Sequence, residues 1–317
     1  MKKINYKEII SKYPWLIEKN HNAVISPDAD GMISGLFMSK YLNWSIVGYY
    51  DNGKYLLLKN GLSAKDCIFL DTDIYRKEIR SCGHHIVLYR NSEIPSNWEN
   101  FSNCLNPNIL RKRSREDDFR LKYPMATIHL LLVIIGHKHK ISFPDDAIYP
   151  VLQADGTINR FIDRHTGNLL DWLGYLNAFD KNNALYKLIH HKIDLVDLSK
   201  EYVDYVEYYV KNKRDKIPVS DNSGLIKSSF TKSLNGFSKS CKKQIQEYLR
   251  FIADKTKWNF IKDRWIWDDF EILRFTKKIC RPGVHTYNNA AENNFLSLAI
   301  TKNDRMEYTL ETPDKLP

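Results

Sequence analysis

Between positions 26 and 31 the chain reads Ser26-Pro27-Asp28-Ala29-Asp30-Gly31, with two carboxylates two residues apart in a turn-forming stretch. Hard carboxylate oxygens are the donors that Mg2+ and Mn2+ select. Two more acids stand in comparable settings: Asp71 follows the apolar run Cys67 to Leu70, and Asp155 lies in Gln153-Ala154-Asp155-Gly156-Thr157. Acids drawn to one edge of a fold repel one another unless a cation sits among them. Asp28, Asp30, Asp71 and Asp155 are therefore the candidate catalytic and metal-ligating residues, with Mn2+ or Mg2+ as the expected cofactor. The competing reading is structural, since Asp and Gly are common in turns and at helix starts.

Separate segments must bring these acids together. Ala23 to Ser26 reads as a buried strand, and Gly31 to Leu42 as a helix with Ile33, Leu36, Phe37 and Tyr41 on one side. Ser45 to Tyr50, Cys67 to Leu70 and His85 to Tyr89 read as further strands, and Ile74 to Arg80 as a short helix. This alternation predicts an α/β fold, a parallel sheet with helices on both faces. In such sheets ligands collect beyond the carboxyl ends of the strands, where Asp28, Asp30 and Asp71 would open. Pro124 to Gly136 reads as a buried helix and Tyr149 to Gln153 as a short apolar segment leading to Asp155. After Asp180 the apolar spacing of Leu185, Leu188, Ile189, Leu195, Leu198, Tyr202, Tyr205 and Tyr209 predicts a long helix. Residues 211–243 then carry nine Lys or Arg against two Asp, the composition of a basic linker or arm. The expected organisation is a main domain over 1–180, a connecting helix and linker over 181–243, and a small C-terminal domain over 244–317.

Across 317 residues, 48 basic and 38 acidic side chains leave a charge of +10, which favours polyanionic partners, most simply nucleic acid. Trp258, Trp265 and Trp267 alternate with Lys257, Lys262 and Arg264, a pattern that suits either a single-strand groove or a core. The longest apolar run, Met125 to Ile135, falls well short of the roughly 20 residues a spanning helix needs, so no membrane association is expected. The opening MKKINYKEII lacks an apolar signal region, and a cytoplasmic location is expected. Five scattered cysteines without a Cys-x-x-Cys pair argue against a disulfide framework and a structural zinc site.

From about residue 22 to 165 the sequence resembles the DHH phosphoesterases, most of all the RecJ-type single-strand exonucleases. The family's first motif is matched by Ser26-Pro27-Asp28-Ala29-Asp30-Gly31 and its second-motif aspartate by Asp71. The Asn-Pro pair after the third motif is matched by Asn106-Pro107, the buried helix by the segment from Tyr123 to His129, and the fourth-motif aspartate by Asp155. The resemblance implies a pair of Mn2+ or Mg2+ ions that activate water to cleave a phosphodiester. The third motif departs from the family. Gly83-His84-His85 precedes the expected strand over Ile86 to Tyr89, which would put both histidines at the far edge of the sheet. Aligning strand ends instead sets Arg90-Asn91-Ser92 against the family's Asp-His-His triplet, with Arg90 and Asn91 facing the scissile phosphate and Arg281 as a further phosphate contact. The expected function is a divalent-metal-dependent phosphodiesterase or exonuclease acting on single-stranded nucleic acid or short oligonucleotides. The alternative is a catalytically inactive RecJ-like scaffold that binds nucleic acid or a protein partner. His129, on the apolar helix, is expected to be a core histidine.

Overall fold

The computed structural model describes residues 3–51, 53–191, 194, 196, 197, 200, 230, 231 and 236–317. Most of the expected long helix after Asp180 and of the basic segment 211–243 lies outside the described residues; within them, Tyr186–Ile189 forms a short helix.

The main sheet has seven strands: β1 (Asn22–Ile25), β2 (Ser45–Tyr50), β3 (Tyr55–Lys59), β4 (Cys67–Leu70), β5 (Arg80–Cys82), β6 (Cys104–Leu105) and, from far along the chain, the strand Phe270–Arg274. Their spatial order is β6-β5-β4-β1-β2-β3 followed by Phe270–Arg274. The five strands from β6 to β2 run parallel, whereas β3 and Phe270–Arg274 are antiparallel additions at one edge. Parallel strands carry apolar residues towards both faces because both are covered. Ala23, Ile25, Ile46, Ile68 and Leu70 pack into the larger core with the helices Ala29–Leu42, Thr127–Gly136 and Lys239–Thr256. Val24, Val47, Leu56, Leu58 and Phe69 face a smaller cluster completed by Ile74, Ile79, Leu273 and Leu296.

The helices Ala29–Leu42, Thr127–Gly136 and Lys239–Thr256 share the larger core on one face of the sheet. The other face is covered by the connection after β4 and by C-terminal residues. Ile74 to Arg80, expected as a helix, is a buried turn leading into β5, where Ser81 Oγ accepts from Ile74 N at 3.1 Å.

The segment 244–317 does not stand apart from the first domain. Ile245, Leu249 and Ile252 belong to the main core, and Phe270–Arg274 extends the main sheet. Beyond the two-residue pair β7 (Phe230–Thr231) and β8 (Gly236–Phe237), and taking Phe270–Arg274 as β9, the chain closes with β10 (Thr276–Cys280), β11 (Ser297–Lys302) and β12 (Arg305–Leu310) in the antiparallel order β10-β12-β11. The helix Val284–Glu292 packs Tyr287, Ala290 and Ala291 against Tyr75, Ile86 and Phe101 of the first half. Trp258, Trp265 and Trp267 are all buried, so their part is core packing and not a stacking groove. None of the five cysteines is paired in a disulfide. No described helix is long and apolar enough to cross a membrane.

Candidate metal centre

The carboxyl ends of β1 and β4 and the turn after β5 converge on one buried polar cluster. β1 ends at Ile25, and the chain turns through Ser26 to Asp28, the N-cap of the helix Ala29–Leu42. Asp28 Oδ1 accepts from Gly31 N at 3.1 Å and from Ser26 Oγ at 2.6 Å. Gly31 is required here by space: a Cβ would sit 2.1 Å from the Ser26 carbonyl oxygen and 2.3 Å from its Oγ.

Two residues on, Asp30 is fully buried and points the other way. Its Oδ2 accepts from Thr127 N at 2.6 Å and its Oδ1 from Ile128 N at 2.9 Å, so Asp30 supplies the anionic cap of the helix Thr127–Gly136. Asp71 and Asp155 both hold left-handed backbone, with φ of 56° and 51°. Aspartate tolerates that region better than most residues, though at a steric cost of about 1–2 kcal/mol. Left-handed turns at these points aim the two carboxylates into the cluster. Asp71 Oδ1 accepts from Thr127 Oγ1 at 2.9 Å, and Asp71 Oδ2 lies 2.5 Å from Ser26 Oγ.

The histidines lie in this same place, which corrects the expected third motif. The sheet strand is Arg80–Cys82, so Gly83-His84-His85 follows a strand end instead of preceding one. Ile86 to Leu88, although apolar, enters no ladder beyond a single bridge between Leu88 and Ser114. His84 Nε2 lies 2.9 Å from Asp155 Oδ2, and His85 Nε2 lies 3.2 Å from Asp71 Oδ1.

Arg90 and Asn91, assigned to the substrate phosphate from the alternative alignment, are engaged elsewhere. Arg90 pairs with Glu93 and Glu116, while Asn91 donates to the Lys112 carbonyl and to Asp117. Arg281 is exposed beside the start of the helix Val284–Glu292, and its side chain forms no ion pair or hydrogen bond among the described residues. Asp28 is nearby, yet its grouping differs from expectation: its cap contacts place it at the rim.

Two overlapping sets of donors come together among the described residues. Asp30, Asp71, His84 and Asp155 each offer an atom within 4.8 Å of the others, as do Asp71, His84 and His85. For an octahedral ion with bonds near 2.1 Å, adjacent ligand atoms stand about 3.0 Å apart and opposite ones about 4.2 Å. The separations of 2.9 Å and 3.2 Å match adjacent positions. Electrostatics point the same way. Burial, then repulsion from Asp71 and Asp155, pushes the Asp30 carboxyl well above its ordinary range; burial, then Asp28 and Asp155, does the same to Asp71. A cation among these oxygens removes that cost, so the residues present fit a divalent ion.

One residue that sequence reasoning missed is Asp73, which organises the histidine turn. Buried Asp73 accepts from the backbone N–H of His85 at 2.6 Å and of Ile86 at 2.8 Å, and from Asn106 Nδ2 at 3.2 Å. Gly83 leaves it room, since a Cβ there would stand 2.8 Å from Asp73 Oδ1. Asn106 also donates to the Ile86 carbonyl, and Asn108 Nδ2 donates to the His84 carbonyl at 2.9 Å. The Asn-Pro-Asn segment is thus the clamp on the turn. The acid two residues after Asp71 was the available signal. His129 is the expected core histidine: it is buried, its Nδ1 accepts from Ala126 N at 3.1 Å, and burial pulls its pKa down to about 4.

No protein-family model matches this chain, and none of the curated proteins matches it.

Proposed function

We propose that the chain is a divalent-cation-dependent phosphoesterase that cleaves phosphodiesters, with single-stranded nucleic acid or short oligonucleotides as the substrate class. The observation that carries the reading is the mixed oxygen and nitrogen donor set of Asp30, Asp71, His84 and Asp155 within 4.8 Å, drawn from four separate segments. Asp71 and His84 belong to both donor sets, and of the two the Asp71 carboxylate, with two oxygens, is the natural shared ligand. The His84 imidazole among the carboxylates favours Mn2+ over Mg2+, which prefers oxygen alone.

When bound, a divalent cation supplies Lewis-acid polarisation of a phosphoryl oxygen and a water acidic enough to attack phosphorus. The chain's own residues do the rest. Asp30 and Asp71 close the floor of the site. His85 and Asp155, whose side chains remain 31% and 26% exposed, form the side from which a substrate enters. His85 is there to hydrogen-bond a phosphoryl oxygen. Lys122 lies within electrostatic reach of Asp155, and burial followed by the neighbouring Arg160 holds its ammonium below the ordinary lysine value. Such a cation beside an acidic site suits an anionic substrate. With the three tryptophans in the core, recognition in this reading rests on phosphates and not on base stacking. The scaffold alternative drew on missing triplet histidines, and the position of His84 and His85 removes that motive.

The test is to incubate purified protein with end-labelled single-stranded DNA and RNA in Mn2+, beside Asp71→Asn and His84→Ala. Cleavage that needs Mn2+ and disappears in both variants supports the proposal. Undiminished cleavage in the variants, or binding with no cleavage by the native chain, defeats it.

A further inference from the structure

Thr127 touches three of the four grouped donors at once. Its backbone N–H donates to Asp30 Oδ2 at 2.6 Å, its Oγ1 donates to Asp71 Oδ1 at 2.9 Å, and the same Oγ1 lies 3.0 Å from His84 Nδ1. The residue is fully buried at the first turn of the helix Thr127–Gly136. We propose that Thr127 is a positioning residue for the cation site: its hydroxyl ties the His84 ring to Asp71 and thereby presents Nε2 as the ligand atom of His84.

Proton supply decides which nitrogen of His84 is free. A hydroxyl has one proton and two lone pairs. With that proton given to Asp71, Oγ1 can meet His84 only as an acceptor, so Nδ1 carries the ring hydrogen. Nε2 is then left with its lone pair, facing the space it shares with Asp155 Oδ2 at 2.9 Å. No direct link from Nδ1 to Asp71 does this, because that separation is 3.7 Å, beyond a hydrogen bond. Apart from Nδ1 and the Nε2 facing Asp155, the ring is held by packing: Tyr123 stands edge-on at 5.8 Å and the His85 ring lies at 4.3 Å. Partners of this kind, one bond removed from the ion, orient ligating histidines and are worth about 10- to 100-fold in metal affinity.

This inference rests on the cation-site reading above, and calorimetric titration of the whole chain with MnCl2 separates the two. Thr127→Val keeps the volume and removes the hydroxyl; Thr127→Ser keeps the hydroxyl. The expected result is a loss of about 10- to 100-fold in Mn2+ affinity for Thr127→Val, with Thr127→Ser restored to within a few-fold of the native chain. Ring 15N shifts of His84 in the Mg2+-loaded native chain should show Nδ1 protonated. Thermal melts in EDTA check that each variant is folded, and if Thr127→Val is not, Thr127→Ala takes its place. Equal Mn2+ affinity in the hydroxyl-free variant and the native chain overturns the role of Thr127 while leaving the site intact. A native chain that takes up no Mn2+ overturns the site itself and the inference with it.

Discussion

Ser26 Oγ lies 2.5 Å from Asp71 Oδ2 while standing 2.6 Å from Asp28 Oδ1, so one hydroxyl serves two carboxyl groups. Its single proton can satisfy only one of them. The other contact needs a proton on Asp71, consistent with the upward push that burial gives that carboxyl, or a cation nearby.

Stability should therefore depend on pH and metal together. Burial first, then neighbouring acids, raises both Asp30 and Asp71 in the folded chain. Above the ordinary carboxylate range the folded state then binds more protons than the unfolded one, and stability falls as pH rises. In EDTA the melting temperature should fall as the pH rises above the ordinary carboxylate range. Saturating Mn2+ binds the ionised acids and should reverse the trend, adding about 2.7 kcal/mol when present at 100 times its Kd. Asp71→Asn should flatten the EDTA profile and abolish the response to Mn2+. Scanning calorimetry decides it: a native profile indifferent to both pH and Mn2+ contradicts the paired-acid account.

Removing ligands should discriminate between ions. His84→Ala takes away a nitrogen donor, which matters more for Mn2+ than for Mg2+. Mn2+ affinity should fall by about 100-fold or more, because even outer partners are worth about 10- to 100-fold. Mg2+ affinity should fall less. Asp155→Asn should weaken both ions alike. Isothermal titration reads these differences, and unchanged Mn2+ binding in His84→Ala would remove the histidine from the site.

Much of this centre was legible because β1 and β4 are continuous apolar runs, and the acids at their exits, Asp28, Asp30 and Asp71, announce a strand end. Asp155 was legible from its place after the apolar segment Tyr149 to Gln153, while the left-handed backbone it shares with Gly156 is seen only in the fold. The histidines were hidden by β5. Arg80-Ser81-Cys82 has no β-branched or aromatic residue, yet it is the strand that pairs with β4. Ile86-Val87-Leu88 has the strand composition and no ladder, since Ile86 is buried against the helix Val284–Glu292. That packing comes from nearly 200 residues away and has no local trace. Asp28 and Asp30 show the same limit: their spacing is identical to a metal pair's, but only the fold reveals that one caps its own helix and the other caps the helix at Thr127.

Glycine substitutions should separate positions where space is needed from those where it is not. In Gly31→Ala the new methyl group would lie 2.1 Å from a backbone oxygen, and a loss of about 3 kcal/mol or more is expected. Gly83→Ala meets Asp73 Oδ1 and the Thr72 carbonyl carbon at 2.8 Å, and should cost about 1–3 kcal/mol while disturbing the histidine turn. Gly167→Ala, in a helix with nothing within 4 Å, should stabilise by about 0.5–1 kcal/mol. Urea denaturation gives the ranking, and a tolerated Gly31→Ala would contradict the described turn.

His129 supplies an acid-side test that needs no metal. Its ordinary value near 6.5 falls to about 4 because burial disfavours the charged ring. Between those values the unfolded chain takes up a proton that the folded chain refuses, so stability is lost as pH drops, by up to about 3 kcal/mol. Asp51 has the opposite sign: burial raises it to about 6, so its contribution improves over part of the same acid range. The two therefore mask each other in the native chain, and only a difference between variants isolates the histidine. His129→Leu leaves the Ala126 N–H without its acceptor, which should cost about 1–3 kcal/mol at neutral pH. As the pH is lowered towards about 4, that deficit should shrink and then close, because the variant no longer carries a ring that the unfolded state protonates first. Parallel stability curves for the two proteins from neutral to acid pH would mean that His129 takes up its proton as readily in the folded chain as in the unfolded one, against the buried, hydrogen-bonded ring described here.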